Sequence, residues 1–270
     1  MRSLLLLTAL AACRPSAAPE PAAPASPAAS PVPSDSPAAA PAGASIAEIL
    51  ADPARPEEER ALDAGRKPAE LLAFLDLRPG MKAADIGAGH GYTTFLLARS
   101  VAPDGRVYAQ NPRFARERFT EPGFTERMKT PAFANVVRVD QEFDAPIPAD
   151  VRDLDLVINF LFYHDTYWMK VDNAAMNRAI FAALRPGGAY VIVDHSAAPG
   201  TGTSASQTLH RVEESVVRAE VEAAGFRLAA SADFLRNPAD PRDWNAMPTA
   251  AAKAGRRGQA DRFVLKFVKP

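Results

Sequence analysis

Apolar and polar positions divide the chain into a short apolar start, a stretch poor in large side chains, and a patterned remainder from about residue 45. In the patterned part, short apolar runs alternate with segments whose apolar residues recur at helical spacing. The runs predict strands at 82–86, 106–109, 136–139, 154–159, 189–193, 226–231 and 263–268. The segments predict helices at 57–64, 68–77, 92–102, 174–184 and 209–224.

Strands that alternate with helices favour a parallel sheet with helices on both faces, joined by right-handed crossovers. The last two predicted strands have no clear helical pattern between them. We therefore expect the sheet to end in an antiparallel strand. In such an α/β sheet, ligands lie at the carboxyl ends of the strands, where the strand order reverses.

The first predicted strand runs into a glycine-rich turn, Asp85-Ile86-Gly87-Ala88-Gly89-His90-Gly91, and a helix follows. Glycine has no side chain, so a ligand can lie against the backbone of such a turn. A dinucleotide fingerprint would place its third glycine at position 92, which is Tyr92 here. The spacing therefore disfavours a dinucleotide site, and a strand–helix turn without a ligand is the plainer alternative.

The spacing D-x-G-x-G-x-G resembles motif I of the class I methyltransferases, which bind S-adenosylmethionine. Residues 154–159, 184–188 and 224–226 resemble the fourth-strand motif and the approaches to strands five and six of these enzymes. Tyr163-His164-Asp165 and Asp194-His195 resemble features of a family of predicted bacterial methyltransferases, over residues 57–270. The resemblance implies a Rossmann-like, doubly wound, seven-stranded sheet, mostly parallel with an antiparallel last strand, and S-adenosylmethionine as the cofactor.

The resemblance also implies cofactor-binding residues at the strand ends: Asp85, Gly87, Ala88, Gly89, Gly91, Gln110, Asn111, Asp140 and Asn159. Asp85 is expected to hold the methionine ammonium group of the cofactor. Methyltransferases usually have an acidic residue after strand two for the ribose hydroxyls, but Gln110 and Asn111 stand there. An amide can bond a diol without charge assistance. Asp140 is expected to contact adenine or to be a solvated carboxylate.

The loop after the fourth predicted strand ends in His164 and Asp165. In methyltransferases this loop separates the cofactor from the methyl acceptor, and a protonated acceptor needs a base. His164 is the expected base, because its ordinary pKa lies near neutral pH. Asp165 is expected to orient it, and His195 completes the predicted catalytic set. A structural role for His164 is the alternative.

The histidines and carboxylates near the strand ends also raise the question of a metal. His164, Asp165, Asp194, His195 and His210 are expected to converge there. No tight ligand spacing such as H-x-x-x-H occurs among them. We therefore expect a polar acceptor pocket and no metal. Asp63 and Arg66 are expected to close over the cofactor or to form a surface pair at i,i+3 spacing.

The N-terminus resembles that of a bacterial lipoprotein. An apolar run follows Arg2 and is too short to span a membrane, and Leu10-Ala11-Ala12-Cys13 resembles a lipobox. The residues from Arg14 onward are rich in alanine and proline, which predicts a disordered linker. We expect a signal peptide at 1–12, lipidated Cys13 with a linker at 13–43, and the methyltransferase domain at 44–270. A cytosolic protein with an apolar N-terminus is the alternative.

These features predict methyl transfer from S-adenosylmethionine to a small-molecule acceptor. Lipidated Cys13 is expected to anchor the domain in the bacterial cell envelope, where the domain faces the periplasm. A formal net charge of −1 gives no basic field for nucleic acid. The alternative is a membrane-tethered, non-catalytic module that kept the fold and binds a ligand or a partner. The amides at the ribose position favour this alternative, as does an envelope location, where S-adenosylmethionine is not expected to be plentiful.

Overall fold

The computed structural model describes residues 43–270. The predicted signal peptide, Cys13 and the linker up to residue 42 lie outside the described residues. Among the residues described, no helix is both long and apolar enough to cross a membrane. The first helix follows Ser45, whose hydroxyl accepts a hydrogen bond from the Glu48 amide while the Glu48 carboxylate accepts one from the Ser45 amide. This capping box fixes the start of the first described helix.

Seven strands form one sheet. They are β1 (Lys82–Ile86), β2 (Arg106–Gln110), β3 (Val136–Val139), β4 (Leu154–Phe160), β5 (Leu184–His195), β6 (Arg227–Ala232) and β7 (Arg262–Val268). Their order is β3-β2-β1-β4-β5-β7-β6, with parallel pairing from β3 through β5 and with β7 antiparallel to both of its neighbours. The predicted doubly wound sheet with an antiparallel last strand is confirmed. The strand order reverses between β1 and β4.

Twelve α-helices lie in the described residues. They are α1 (Ile46–Ala51), α2 (Glu57–Arg60), α3 (Asp63–Arg66), α4 (Pro68–Leu75), α5 (Tyr92–Val101), α6 (Arg113–Ala115), α7 (Gly123–Met128), α8 (Tyr163–Trp168), α9 (Asn173–Ala183), α10 (Ser206–Leu209), α11 (Glu214–Ala223) and α12 (Pro248–Lys253). A π-helical turn, Arg116–Thr120, follows α6, and a 3₁₀ turn, Pro131–Phe133, precedes β3.

Several helices differ from the sequence prediction. The helix predicted at 57–64 is two short helices, α2 and α3. The helix predicted at 209–224 begins only at Glu214, because His210 has a left-handed backbone with φ 50° and ends α10. The segment between β6 and β7 contains α12, which the sequence pattern did not predict.

Apolar side chains cover both faces of the sheet. On one face α4 and α5 bury Leu71 and Phe95, and on the other α9 and α11 bury Met176 and Val217. Full burial of such a side chain contributes roughly 1.5–3 kcal/mol. The packed faces hold the strands in register, so the polar residues of the site can sit at the carboxyl ends of the strands.

Candidate functional site

The carboxyl ends of β1, β2 and β4 lie side by side at one edge of the sheet. Ile86, the last residue of β1, is in register with Gln110 of β2 and with Asn159 of β4. The glycine-rich loop leaves this point and leads into α5. The loop therefore lies at the reversal of strand order, where doubly wound sheets bind their ligands.

Gly89 presents the open face of this loop. Its φ is 59°, and a Cβ placed on it would meet no atom within 4 Å. A Cβ on Gly87 would instead lie 2.9 Å from Cγ of Phe162, and one on Gly91 would lie 3.2 Å from the Phe133 ring. Gly87 and Gly91 thus allow close packing within the protein, whereas Gly89 leaves free space beside the backbone.

Gln110 and Asn111 brace the glycine-rich loop from the end of β2. The Gly87 amide donates to Gln110 Oε1 at 3.0 Å. The Gly89 amide donates to Asn111 Oδ1 at 2.9 Å, and Asn111 Nδ2 donates back to the Gly89 carbonyl at 3.0 Å. A carboxylate can only accept, so it could not make this reciprocal pair. The predicted ribose contact stays a prediction.

Asp85 lies buried directly before the loop, where Thr94 Oγ1 donates to its Oδ2 at 2.6 Å. Burial raises the pKa of Asp85 to about 6, against the opposing effects of the Thr94 hydrogen bond and the nearby Arg66 charge. Among the described residues, the buried Asn159 amide has no hydrogen-bond partner for either its nitrogen or its oxygen. Two predicted cofactor residues therefore place polar atoms at this edge.

Asp140 has a different environment from the other predicted cofactor residues. Its carboxylate accepts from Arg138 Nε at 2.8 Å, and its side chain is 40 % exposed. The Arg116 guanidinium lies 3.6 Å away. The structure therefore places Asp140 in a surface ion pair, and its predicted contact with adenine stays a prediction.

Asp63 does not pair with Arg66 at i,i+3 spacing. Arg55 donates two hydrogen bonds to Asp63, at 2.8 and 2.6 Å, and the Tyr92 hydroxyl donates a third at 2.7 Å. The Arg66 guanidinium lies 4.3 Å from the centroid of the Tyr92 ring and 5.7 Å from that of Phe160. Arg66 therefore lies between the helix that follows the glycine-rich loop and the end of β4.

A second polar group lies after β4 and β5. His164, in the first turn of α8, is buried; its Nδ1 lies 2.6 Å from Asp194 Oδ1, and its backbone amide donates to Asp194 Oδ2 at 2.7 Å. Asp194 is the penultimate residue of β5. The predicted orienting residue is Asp165, but the contact with Nδ1 comes from Asp194.

The other nitrogen of His164 faces Asp165 and His210. Nε2 lies 3.2 Å from Asp165 Oδ1 and 3.3 Å from His210 Nδ1, and the last two atoms are 3.1 Å apart. The Trp168 indole donates to the same Asp165 oxygen at 2.7 Å. The His195 ring lies beside this group, with its centroid 5.8 Å from that of His164. The structure thus brings together the histidines and carboxylates expected to converge.

The charges of this group shift its pKa values strongly. Burial alone would lower the pKa of His164, but the Asp194 and Asp165 carboxylates outweigh it and raise the pKa to about 10. Burial would raise the pKa of Asp165, but hydrogen bonds with His164 and His210 hold it below its usual range. Burial, together with the neighbouring positive charges, lowers the pKa of His195. Both His164 nitrogens therefore face carboxylates, which leaves neither free in this arrangement.

Glu220 of α11 holds α8 in place. Its Oε2 accepts hydrogen bonds from the hydroxyls of Tyr163 and Tyr167, at 2.9 and 3.0 Å, and from Asn173 at 3.2 Å. Sequence reasoning did not single out Glu220, since a lone glutamate at helical spacing gives no signal of this role. The contacts fix the helix that carries His164 and Asp165.

This strand order, with a glycine-rich loop after β1, defines the fold of the class I S-adenosylmethionine-dependent methyltransferases. An S-adenosylmethionine-dependent methyltransferase from Aquifex aeolicus superposes with a TM-score of 0.54 at 17% identity, over 80% of this chain and 99% of that one. Geranyl diphosphate C-methyltransferase from Streptomyces coelicolor A3(2) superposes with a TM-score of 0.54 at 13% identity, over 85% of this chain and 89% of that one. At these identities the likeness shows the fold.

Sequence similarity is confined to part of the chain. The family model of protein-L-isoaspartate(D-aspartate) O-methyltransferase matches residues 58–111. Protein-L-isoaspartate O-methyltransferase from Aeropyrum pernix is 44% identical over 59 residues, 20% of this chain and 23% of that protein. This chain spans less than a third of the length of the curated relatives that it matches. The family-model match contains the glycine-rich loop and ends before His164 and the polar residues around it, which we call the His164 group.

Proposed function

We propose that this chain transfers a methyl group from S-adenosylmethionine to a small-molecule acceptor. The open face of Gly89 carries the proposal, since it leaves space against the backbone at the strand-order reversal. The fold and the match of residues 58–111 to a methyltransferase family support it.

The residues at this edge fit the cofactor. Gly87 and Gly89 would lie along its methionine part, and Asp85 would hold its ammonium group. The unpartnered amide of Asn159 offers a further donor and acceptor at the end of β4. When bound, the cofactor supplies an electrophilic methyl group. The chain's own task is then to hold the acceptor atom in line with that methyl group and to exclude water.

The acceptor side of the proposed site contains His164, Asp165 and His195. These residues lie at the ends of β4 and β5 and would orient the acceptor. A protonated acceptor must also lose its proton, and His164 is the proposed base. For that role His164 first has to lose the proton that its raised pKa of about 10 retains near neutral pH. Nε2 also has to exchange its contact with Asp165 for one with the acceptor, because Nδ1 is held by Asp194.

A protein carboxylate is the second proposed acceptor. The match to protein-L-isoaspartate O-methyltransferases favours it, since an isoaspartyl carboxylate is the acceptor that this family name states. The matched residues 58–111 lie on the cofactor side of the site. They do not include the His164 group, so the match bears less on the acceptor than on the cofactor.

Location is a separate proposal. We propose that Cys13 is acylated and anchors the domain in the bacterial envelope, facing the periplasm. Its support is the lipobox spacing and the apolar run before it. A short apolar segment of this kind serves as a signal peptide, and a lipid chain with a second signal gives stable anchoring.

Calorimetric titration of the full chain carrying Cys13→Ser with S-adenosylmethionine and S-adenosylhomocysteine tests the cofactor step. We expect a Kd in the micromolar range, about −8 kcal/mol. Gly89→Leu should abolish binding, because its side chain would fill the open face. Gly80→Leu is the matched control, since Gly80 has φ 85° and an equally open Cβ position, in the turn before β1.

The titrations of the parent protein and of the two leucine variants separate the functional alternatives. No binding by the parent protein would refute the methyltransferase proposal and favour the tethered, non-catalytic module. Equal loss of binding in both leucine variants would trace the effect to backbone strain. When binding is found, a screen of phenols, carboxylates, amines and an isoaspartyl peptide identifies the acceptor. Methylation of the isoaspartyl peptide, and of none of the small molecules, would favour a protein acceptor.

A further inference from the structure

Three possible metal-ligand atoms form a compact triangle next to the end of β5. They are His164 Nε2, Asp165 Oδ1 and His210 Nδ1, and the edges of the triangle are 3.1, 3.2 and 3.3 Å. In the described part of the chain, each of these side chains offers one ligand atom, and the three atoms lie close enough together to hold a metal ion. Atoms this close are bridged either by a proton on a histidine nitrogen or by a bound cation.

The triangle has the dimensions of a metal coordination face. With metal–nitrogen bonds of about 2.0–2.1 Å, two ligands of a tetrahedral ion lie about 3.3 Å apart. Two adjacent ligands of an octahedral ion at the same bond length lie about 2.9 Å apart. The observed edges lie between these two values, so the three atoms can share one ion without a change in backbone position.

Groups behind the triangle hold its ligands in place. The Asp194 carboxylate faces His164 Nδ1 at 2.6 Å, which directs the Nε2 lone pair toward the triangle. A carboxylate behind a metal-bound histidine is the usual arrangement in metalloproteins. The backbone amides of His164 and His195 donate to Asp194, both at 2.7 Å. The Trp168 indole donates to Asp165 Oδ1 at 2.7 Å and holds this carboxylate in place.

The triangle is partly accessible from solvent. The side chains of His164, Asp165 and His210 are 4%, 15% and 17% exposed. Three protein ligands with one accessible side are typical of a metal site that keeps a position open for water or a substrate.

We propose that His164, Asp165 and His210 bind a first-row divalent transition metal ion, with at least one coordination position open. Two imidazoles and one carboxylate suit Zn²⁺ and Fe²⁺. The sequence predicts no metal, because no two of these residues lie one helical turn apart in the chain. Here two ligands are adjacent in α8 and the third lies 46 residues after His164. The proposal does not depend on the methyltransferase activity, and an ion bound to His164 Nε2 would exclude the role of this nitrogen as a general base.

Metal titration of the full chain with Cys13→Ser tests this site. Cys13 is the only cysteine, so this background contains no thiol ligand. After chelator treatment, calorimetry with Zn²⁺ should give one ion per chain with a Kd of micromolar or below. Co²⁺ should give visible absorption bands from nitrogen and oxygen ligands. His210→Ala should weaken Zn²⁺ binding at least 100-fold, and Asp194→Asn about 10- to 100-fold.

His90→Ala is the matched control, because it removes an exposed imidazole outside the triangle. Its Zn²⁺ affinity should equal that of the parent, and circular dichroism checks that each variant is folded. The proposal is overturned when the folded parent gives neither Co²⁺ bands nor stoichiometric Zn²⁺ binding. It is also overturned when His210→Ala binds Zn²⁺ as tightly as the parent, or when His90→Ala loses as much affinity as His210→Ala. Cofactor binding is not part of any readout.

Discussion

Replacing Asp85 by Asn should stabilise the protein at pH 8. The carboxyl lies buried at the start of the glycine-rich loop, and burial raises its pKa from the ordinary 3.8 to about 6. This difference corresponds to at most about 3 kcal/mol of unfolding free energy. The asparagine variant avoids the cost of burying a charge, and its side-chain oxygen can still accept the hydrogen bond from Thr94.

The stabilisation should depend on pH in a defined direction. Between pH 4 and pH 6 the unfolded carboxyl has lost its proton while the folded one retains it. The folded state then binds more protons, so the unfolding free energy of the parent falls as the pH rises through this interval. Above pH 6 the parent carries the full cost of a buried charge, and below pH 4 it carries none. The advantage of Asp85→Asn should therefore be largest at pH 8 and vanish near pH 4.

Urea unfolding of the parent and Asp85→Asn at pH 4, 5, 6 and 8 measures this difference. Asp233→Asn is the control, because the Asp233 side chain is 90% exposed, and its effect should stay within about 0.5 kcal/mol. Destabilisation by Asp85→Asn at pH 8, or a gain that is the same at pH 4 and pH 8, would refute the reasoning. The variant should also bind S-adenosylmethionine more weakly, since the proposed ammonium partner has lost its charge.

Three further changes have defined outcomes. Arg211→Ala should lower the unfolding free energy by about 3–5 kcal/mol in urea titrations, because it leaves the buried Asp240 carboxylate without its ion-pair partner. Arg113→Ala is the control, since Arg113 belongs to an exposed ion pair, and it should cost less than about 1 kcal/mol. His164→Ala should reduce methyl transfer by roughly 10²- to 10⁴-fold and leave cofactor affinity nearly unchanged; equal losses in a rate assay and a binding titration would mark a structural role. Cys13→Ser should remove fatty-acid labelling and shift the protein out of the membrane fraction; a parent that is itself unlabelled and soluble contradicts the anchor.

The sheet could be predicted from the sequence because burial leaves a simple pattern. Parallel strands covered on both faces are short apolar runs. Six of the seven strands were predicted within one residue of their observed bounds, whereas β5 begins five residues before its predicted start. The loop of Gly87, Gly89 and Gly91 was also evident, since glycine at alternate positions after a strand is a local signal. Short helices held by tertiary contacts gave no such signal. Helix α8 has only six residues and depends on Glu220 from a distant helix.

The contacts between side chains were harder to predict than their positions. Gln110 and Asn111 lie at the end of β2 as expected, but the sequence could not show that both amides bond the glycine-rich loop. Likewise, residues of three segments meet at His164, and their spacing along the chain is irregular. Spacing rules detect ligands within one helix or hairpin, and they miss a site that the sheet topology assembles.

The two sides of the sheet edge offer different kinds of binding site, and this difference separates the functional alternatives. On the β1 side, the loop amides of Gly87 and Gly89 are already bonded, and the open space lies next to the Gly89 backbone. On the β5 side, His164 Nε2, Asp165 Oδ1 and His210 Nδ1 lie within 3.3 Å of one another. A chain that binds a metal ion but no S-adenosylmethionine would be the tethered module, with a metal-dependent partner site. A chain that binds both has an ion placed to hold an acceptor oxygen next to the methyl donor, which would favour hydroxyl or carboxylate acceptors over amines.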